Sequence, residues 1–175
     1  MTPSVLVRPS RAEDLPAITS LYGWHVEHGT GTFELEPPDG AEMTRRRDDV
    51  LAKGQPWLVL EQGGRVEGYA YANSFRPRPA YRFCLEDSVY LAPDAMGRGL
   101  GRLLLLELLS RCEEAGARQV VAVIGDSANA GSVGVHRSLG FASIGTIASA
   151  GWKFGRWLDV VMMQKSLGAG ASAPA

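Results

Sequence analysis

The chain has 175 residues, 45% of them hydrophobic and 21% charged, with a net charge of −1. That length suits one domain with its own core, and the charge balance gives no bulk attraction to nucleic acid or an anionic membrane. Two cysteines (Cys84, Cys112) and three scattered histidines (His25, His28, His136) lack metal-ligand spacing, so reduced thiols and no metal are expected. No apolar run approaches the roughly 20 residues of a membrane helix, and "MTPSVLVRPSRAED" has no long apolar leader region. A cytoplasmic protein is the expectation.

In chain order, "SVLVRP" reads as a short strand. A helix follows over "SRAEDLPAITSLYGWHVEHG", opened by a capping box of Ser10 and Glu13, with Leu15, Ile18, Leu21 and Tyr22 at helical spacing. After the polar loop "TGTFELEPPDG", the segment "AEMTRRRDDVLAKG" predicts a second helix ending at Gly54. Arg45, Arg46 and Arg47 precede Asp48 and Asp49, which marks a solvated face and not a nucleic-acid patch. "PWLVLEQGGRVEGYAYANSF" predicts a hairpin turning at the paired glycines, and "FCLEDSVYLAP" the next strand. A helix from about Gly99 to Ala115 comes next. Then come the buried strand "RQVVAVIGD", a short helix in "NAGSVGVHRSLGF", and an antiparallel pair from "ASIGTIA" and "RWLDVVMMQKS". The order β-α-α-β-β-β-α-β-α-β-β indicates an α+β domain over residues 1–167 with a mixed sheet. The small-residue tail 168–175 is expected to be disordered.

The stretch "PDAMGRGLGRLLLLE" sets Gly97, Gly99 and Gly101 directly before a leucine-rich helix. Such a loop lets backbone N–H groups approach an anion at the positive end of a helix. It is not a nucleotide P-loop, because Arg102 follows Gly101 and no Ser or Thr follows to hold magnesium. It is not a dinucleotide fingerprint either, since the glycine spacing differs and several elements come before it.

"SVYLAPDAMGRGLGRLLL" resembles the coenzyme A motif of the GNAT N-acetyltransferases: a strand, then [Q/R]-x-x-G-x-[G/A], then a helix. Gly99 and Gly101 match the small positions, and Met96 replaces the usual Gln or Arg, removing one side-chain contact to the pyrophosphate. "RFCLEDSVYL", "AVIG", "VHRSLGF" and "GWKFGRWLDV" resemble the phosphinothricin and methionine sulfoximine acetyltransferase branch. The resemblance implies a GNAT fold with about seven mostly antiparallel strands and about four helices. It also implies acetyl-CoA as cofactor, a homodimer, and transfer of acetyl to the α-amine of a small amino acid analogue. Another amine acceptor, or a non-catalytic acyl-CoA-binding module, are the alternatives.

Carried over residue by residue, the backbone from Met96 through Gly97, Arg98, Gly99, Leu100 and Gly101 would cradle the pyrophosphate. Arg98 and Arg102 would serve as positive partners, and Asn129, Ser132 and His136 would complete the cofactor site. Strand residues Val89, Tyr90 and Leu91 would pair with pantetheine, with an N–H near Tyr90 or Leu91 facing the thioester oxygen. Strand alternation puts Glu86, Ser88 and Tyr90 on one face and Leu85, Asp87, Val89 and Leu91 on the other. Glu86 either pairs with an arginine such as Arg82 or takes the amine proton, as proposed for a glutamate here in the resembled branch; Asp87 ranks second. His136 stands where most of the family has a tyrosine, as acid, relay or cofactor contact. Arg76, Arg78 and Arg82 suit a carboxylate and a second oxo group, or form a solvated basic loop. Phe33, Tyr81 and Trp152 are candidate apolar walls, or core or dimer contacts.

Overall fold

The computed structural model describes residues 4–174. Strand β1 (Val5–Pro9) leads through a short 3₁₀ turn to helices α1 (Leu15–His28) and α2 (Gly40–Ala52). Strands β2 (Trp57–Gln62), β3 (Arg65–Ser74) and β4 (Cys84–Leu91) follow, then α3 (Leu100–Glu114), β5 (Gln119–Gly125) and α4 (Ala130–Ser138). The long hairpin β6 (Ala142–Lys153) and β7 (Arg156–Ser166) completes a seven-stranded sheet in the order β1-β2-β3-β4-β5-β7-β6. Only β4 and β5 run parallel, and all other pairs are antiparallel. This is the expected α+β architecture.

Two apolar layers sandwich the sheet. On one side Ile18, Tyr22 and Val26 of α1 and Met43 and Val50 of α2 pack against Trp57, Val59 and Tyr69. On the other, Leu104, Leu105 and Leu108 of α3 cover Leu58, Leu60, Ala70 and Val120. Alternate residues of β2 and β3 serve opposite layers, as period-two side-chain direction requires. The β2–β3 turn uses Gly63 and Gly64 at φ 60° and 80°, a conformation glycine adopts without steric cost.

Two local expectations change. Asp14, not Glu13, takes the Arg11 N–H at 2.7 Å, while the Ser10 hydroxyl accepts from Arg47 at 2.8 Å. The chain enters α1 through a 3₁₀ turn, which moves the capping carboxylate on by one residue. Strand β6 runs well past "ASIGTIA" by way of two register shifts, one spanning Ile147 and Gly151. There Ser149 turns to φ 52° and its N–H reaches the Asp159 carboxylate. Residues 168–174 form turns beside the buried Leu167, and the Arg118 guanidinium donates to the carbonyls of Gly170 and Pro174. Ala175 lies outside the described residues.

Candidate active site

Strands β4 and β5 pair only from Cys84↔Gln119 to Asp87↔Ala122. Beyond Asp87 they part, and a cavity of 610 Å³ opens between the strand ends and the loop before α3. Backbone parity shows what faces it. Cys84 O accepts from Phe75 N–H, and Ala92 N–H donates to Glu67 O, so even-numbered residues of this strand bond to β3. Val89 and Leu91 therefore turn their backbone groups away from β3 and into the gap. The Leu91 carbonyl is taken by His25 of α1, Nε2 to O 2.8 Å. A carbonyl only accepts, so His25 carries its proton on Nε2. The Leu91 N–H remains on the gap side, whereas Tyr90 turns its backbone to β3 and its ring into the aromatic cluster with Tyr22 and Tyr69.

The glycine loop closes one end of the cavity. Gly97 and Gly99 sit at φ 71° and 77° with open space where a Cβ would stand. Gly99 occupies the N-cap of α3 and offers no capping side chain. Among the described residues, no backbone acceptor takes the N–H groups from Met96 to Gly101. Uncapped donors at the positive end of a 15-residue helix make an anion cradle. The Leu100 side chain is buried in the α3 layer, so only its backbone serves the loop. Arg102 lines the cavity. Arg98 does not: its guanidinium donates to the Gln62 side chain at 2.6 Å and to Asp94 O. The expected positive partner is a latch between loop and sheet, because the buried amide at the end of β2 lies within its reach.

Asp87 and His136 meet across the cavity floor, Oδ2 to Nε2 2.9 Å, with side chains 1% and 5% exposed. His136 Nδ1 donates to Ser132 O at 2.7 Å, one turn back in α4. Burial alone would lower the His136 pKa, but the hydrogen bond and charge of Asp87, with the Ser132 carbonyl, outweigh it and raise the value. Both ring nitrogens face acceptors, which favours the imidazolium. Asp87 Oδ1 is buried without a partner. Asn129 caps α4 by accepting from Ser132 N–H at 3.2 Å, and both residues line the cavity.

Glu86 points to the opposite side of β4, the side of Tyr90 and α1, as alternation requires. Asp87 thus belongs with His136 and not with Glu86 on the expected acceptor side. Burial raises the Glu86 pKa; the charge of Arg76 opposes this and that of Asp87 adds to it. Arg82 does not pair with Glu86. Its guanidinium lies 4.4 Å over the Phe83 ring, a cation–π contact that holds it outward. Arg76 stacks likewise on Phe75 at 4.7 Å, and Arg76, Arg78 and Arg82 are all exposed.

Residues 19–141 match the acetyltransferase (GNAT) family. The phosphinothricin N-acetyltransferase of Alcaligenes faecalis is 55% identical over 164 residues, 94% of this chain and 83% of that protein. The L-methionine sulfoximine/L-methionine sulfone acetyltransferase of Pseudomonas aeruginosa is 39% identical over 98% of this chain and 99% of its own length. This chain belongs to the GNAT acetyltransferase family. A crystal structure of a GNAT superfamily phosphinothricin acetyltransferase from Sinorhizobium meliloti in complex with AcCoA superposes with a TM-score of 0.94 at 44% identity, covering 99% and 93% of the two chains.

Within this GNAT domain, the loop after α1 meets the ends of β5 and β6. Phe33 packs its ring on Gly151 and Gly125, where a Cβ would collide with it. Trp152 is exposed beside Trp157, rings 5.1 Å apart, and Tyr81 is exposed with its edge on Phe75. Three residues near the site carried no sequence signal: His25, Lys153 and Asp126. His25 looks like an ordinary polar position on an amphipathic helix, and its role needs the α1–β4 contact. Asp126, at φ 70°, accepts from Ala128 N–H and from Arg156 at the start of β7. Lys153 sits beside exposed aromatics in the sequence yet is buried in the fold.

Proposed function

We propose that the enzyme transfers acetyl from acetyl-CoA to the α-amine of a small amino acid analogue of the phosphinothricin or methionine sulfoximine type. The observation that carries this reading is the free edge of β4. It joins an uncapped, glycine-rich anion cradle at one end to a half-buried carboxylate, Glu86, at the other. The parted strands and open N–H groups fit the cofactor, and the unpartnered Asp87 Oδ1 offers it an acceptor in the cavity. When bound, acetyl-CoA supplies the acetyl group as a thioester.

The chain's residues then have separate tasks. The N–H groups from Gly97 to Gly101 hold the pyrophosphate, with Arg102 as a side-chain cation; Met96 contributes its backbone only. The Leu91 N–H is free to donate to a carbonyl oxygen developing charge, and His25 fixes that residue through its carbonyl. Glu86, its pKa raised by burial, takes the proton from the attacking amine. The His136 imidazolium, charged through Asp87, supplies a proton to the departing sulfur. Phe33, on the acceptor side, walls the substrate, and the exposed arginines Arg76, Arg78 and Arg82 receive its second oxo or anionic group.

The working form is a cytoplasmic homodimer. Strand β6 is one of the two sheet edges, and Ile144, Ile147, Trp152, Phe154 and Trp157 are exposed apolar side chains on its hairpin. Such an edge invites covering by a second copy. No helix among the described residues is long and apolar enough to cross a membrane.

The test of function is acetyl-CoA-dependent thiol release across a panel of methionine sulfoximine, phosphinothricin, common amino acids, peptides and aminoglycosides. Release with the first two is expected. Release only with other amines would keep the chemistry and discard the substrate. Acetyl-CoA binding without release from any amine would favour the binding module.

A further inference from the structure

Lys153, at the end of β6, is 3% exposed. Its ammonium carries three donors, yet one hydrogen-bond acceptor is seen among the described residues, the Thr32 carbonyl at 2.9 Å, beside a cation–π contact with the Phe154 ring at 5.0 Å. Among the described residues no carboxylate lies within salt-bridge distance of it. A buried cation held by one carbonyl and one ring face, with no counter-charge in contact, is poorly compensated for its lost hydration. The nearby acid does not fill the need. Glu34 is occupied by Arg46, at 2.6 Å and 3.2 Å, and by the Tyr22 hydroxyl at 2.8 Å. Burial lowers the Lys153 pKa, and only the distant charge of Glu34 opposes it.

The location of this ammonium matters more than its cost. Thr32 follows Thr30 and Gly31, which line the cavity. Lys153 also lies close enough to His25 for its positive charge to add to the burial that holds His25 below its ordinary pKa. His25 in turn touches Leu91 and Tyr90. Thr32 Oγ1 meets the Tyr22 hydroxyl at 2.8 Å, and the Tyr22 ring lies 5.1 Å from that of Tyr90, which shares the α1 side of β4 with Glu86. The unsatisfied cation and the half-buried Glu86 therefore border the same region, on the acceptor side of β4's free end.

We propose that Lys153 is the specificity-determining cation that receives the α-carboxylate of the acceptor, with Glu86 facing the amine of the same molecule. This rests on the acetyltransferase reading above and deepens it by naming the substrate class. An α-amino acid carries its carboxylate one carbon from the amine, so a fixed ammonium beside the site orients the amine as it binds. Peptide N-termini and aminoglycosides lack a carboxylate at that spacing. The exposed arginine loop is left to the far end of the substrate.

The experiment compares kcat/KM for the amino acid giving most thiol release with that for its α-carboxamide. The wild-type enzyme is expected to prefer the acid by about a hundredfold, a ratio worth roughly 2.7 kcal/mol. In Lys153→Met the ratio falls towards one, through a higher KM for the acid, while acetyl-CoA affinity by calorimetry stays at the wild-type value. An unchanged ratio in the variant overturns the proposal. Should Lys153→Met fail to fold, Lys153→Arg keeps the charge but moves it. A changed ratio there supports the assignment, and an unchanged ratio overturns it. If the wild-type enzyme releases no thiol with any amino acid while carboxylate-free amines react, the substrate assignment fails together with this inference. If no amine reacts, the acetyltransferase reading itself has failed.

Discussion

Glu86 and Asp87 are neighbours in sequence and opposites in environment. One peptide step on a strand sends them to different layers. Asp87 enters a buried pair with His136, and Glu86 stays half-buried beside the acceptor region without a direct ion pair among the described residues. Only the second can accept a proton without first breaking a salt bridge. Glu86→Gln is expected to lower kcat by about 10²–10⁴-fold, the usual range for removing a general base, with acetyl-CoA affinity intact. As the proposed base Glu86 works deprotonated, and burial raises its pKa above the ordinary 4.5. In the wild-type enzyme kcat/KM therefore falls as pH drops through that raised value, on an acidic limb lying above pH 4.5. A pH–rate profile checks both points; a Glu86→Gln profile that keeps the same limb rules the residue out as base.

At the scale of elements, the cradle depends on backbone conformation more than on side chains. Gly97 and Gly99 hold positive φ, where an L-residue pays roughly 1–2 kcal/mol. The open space above them is what a phosphate needs. Gly99→Glu puts a carboxylate into that space and is expected to weaken acetyl-CoA binding on the order of a hundredfold or more; titration calorimetry measures it, and wild-type affinity would mean that the loop is no cradle. Met96, exposed where the family pattern has Gln or Arg, fits the same logic, since the N–H groups remain. The glycine spacing made the loop legible from sequence. The Arg98 latch to Gln62 was not, because it joins positions 36 residues apart.

At the scale of the whole molecule, the β6–β7 hairpin carries the exposed apolar side chains on which the proposed dimer rests. Trp157 is 61% exposed although its neighbour Leu158 is in the core. An edge strand with aromatic residues on its open side is an association surface unless covered. Light scattering is expected to give twice the chain mass for the wild-type protein, and Ile147→Lys to shift it towards the monomer. A wild-type monomer at micromolar concentration would remove the dimer from the working form.

The sequence by itself determined the order of the elements, the α+β fold class, the glycine loop before α3 and the two faces of β4. Each is written in local periodicity or in the conformational needs of glycine, which a linear reading can count. Tertiary structure alone decided where β4 and β5 part, that Asp87 and not Glu86 meets His136, and that His25 takes the Leu91 carbonyl. It also moved Arg98 out of the cavity and buried Lys153 beside Thr32. These are pairings between residues far apart in the chain, and they depend on register and on how helices lie across the sheet. Side-chain type shows that a residue can carry charge; only packing shows whether that charge is already satisfied.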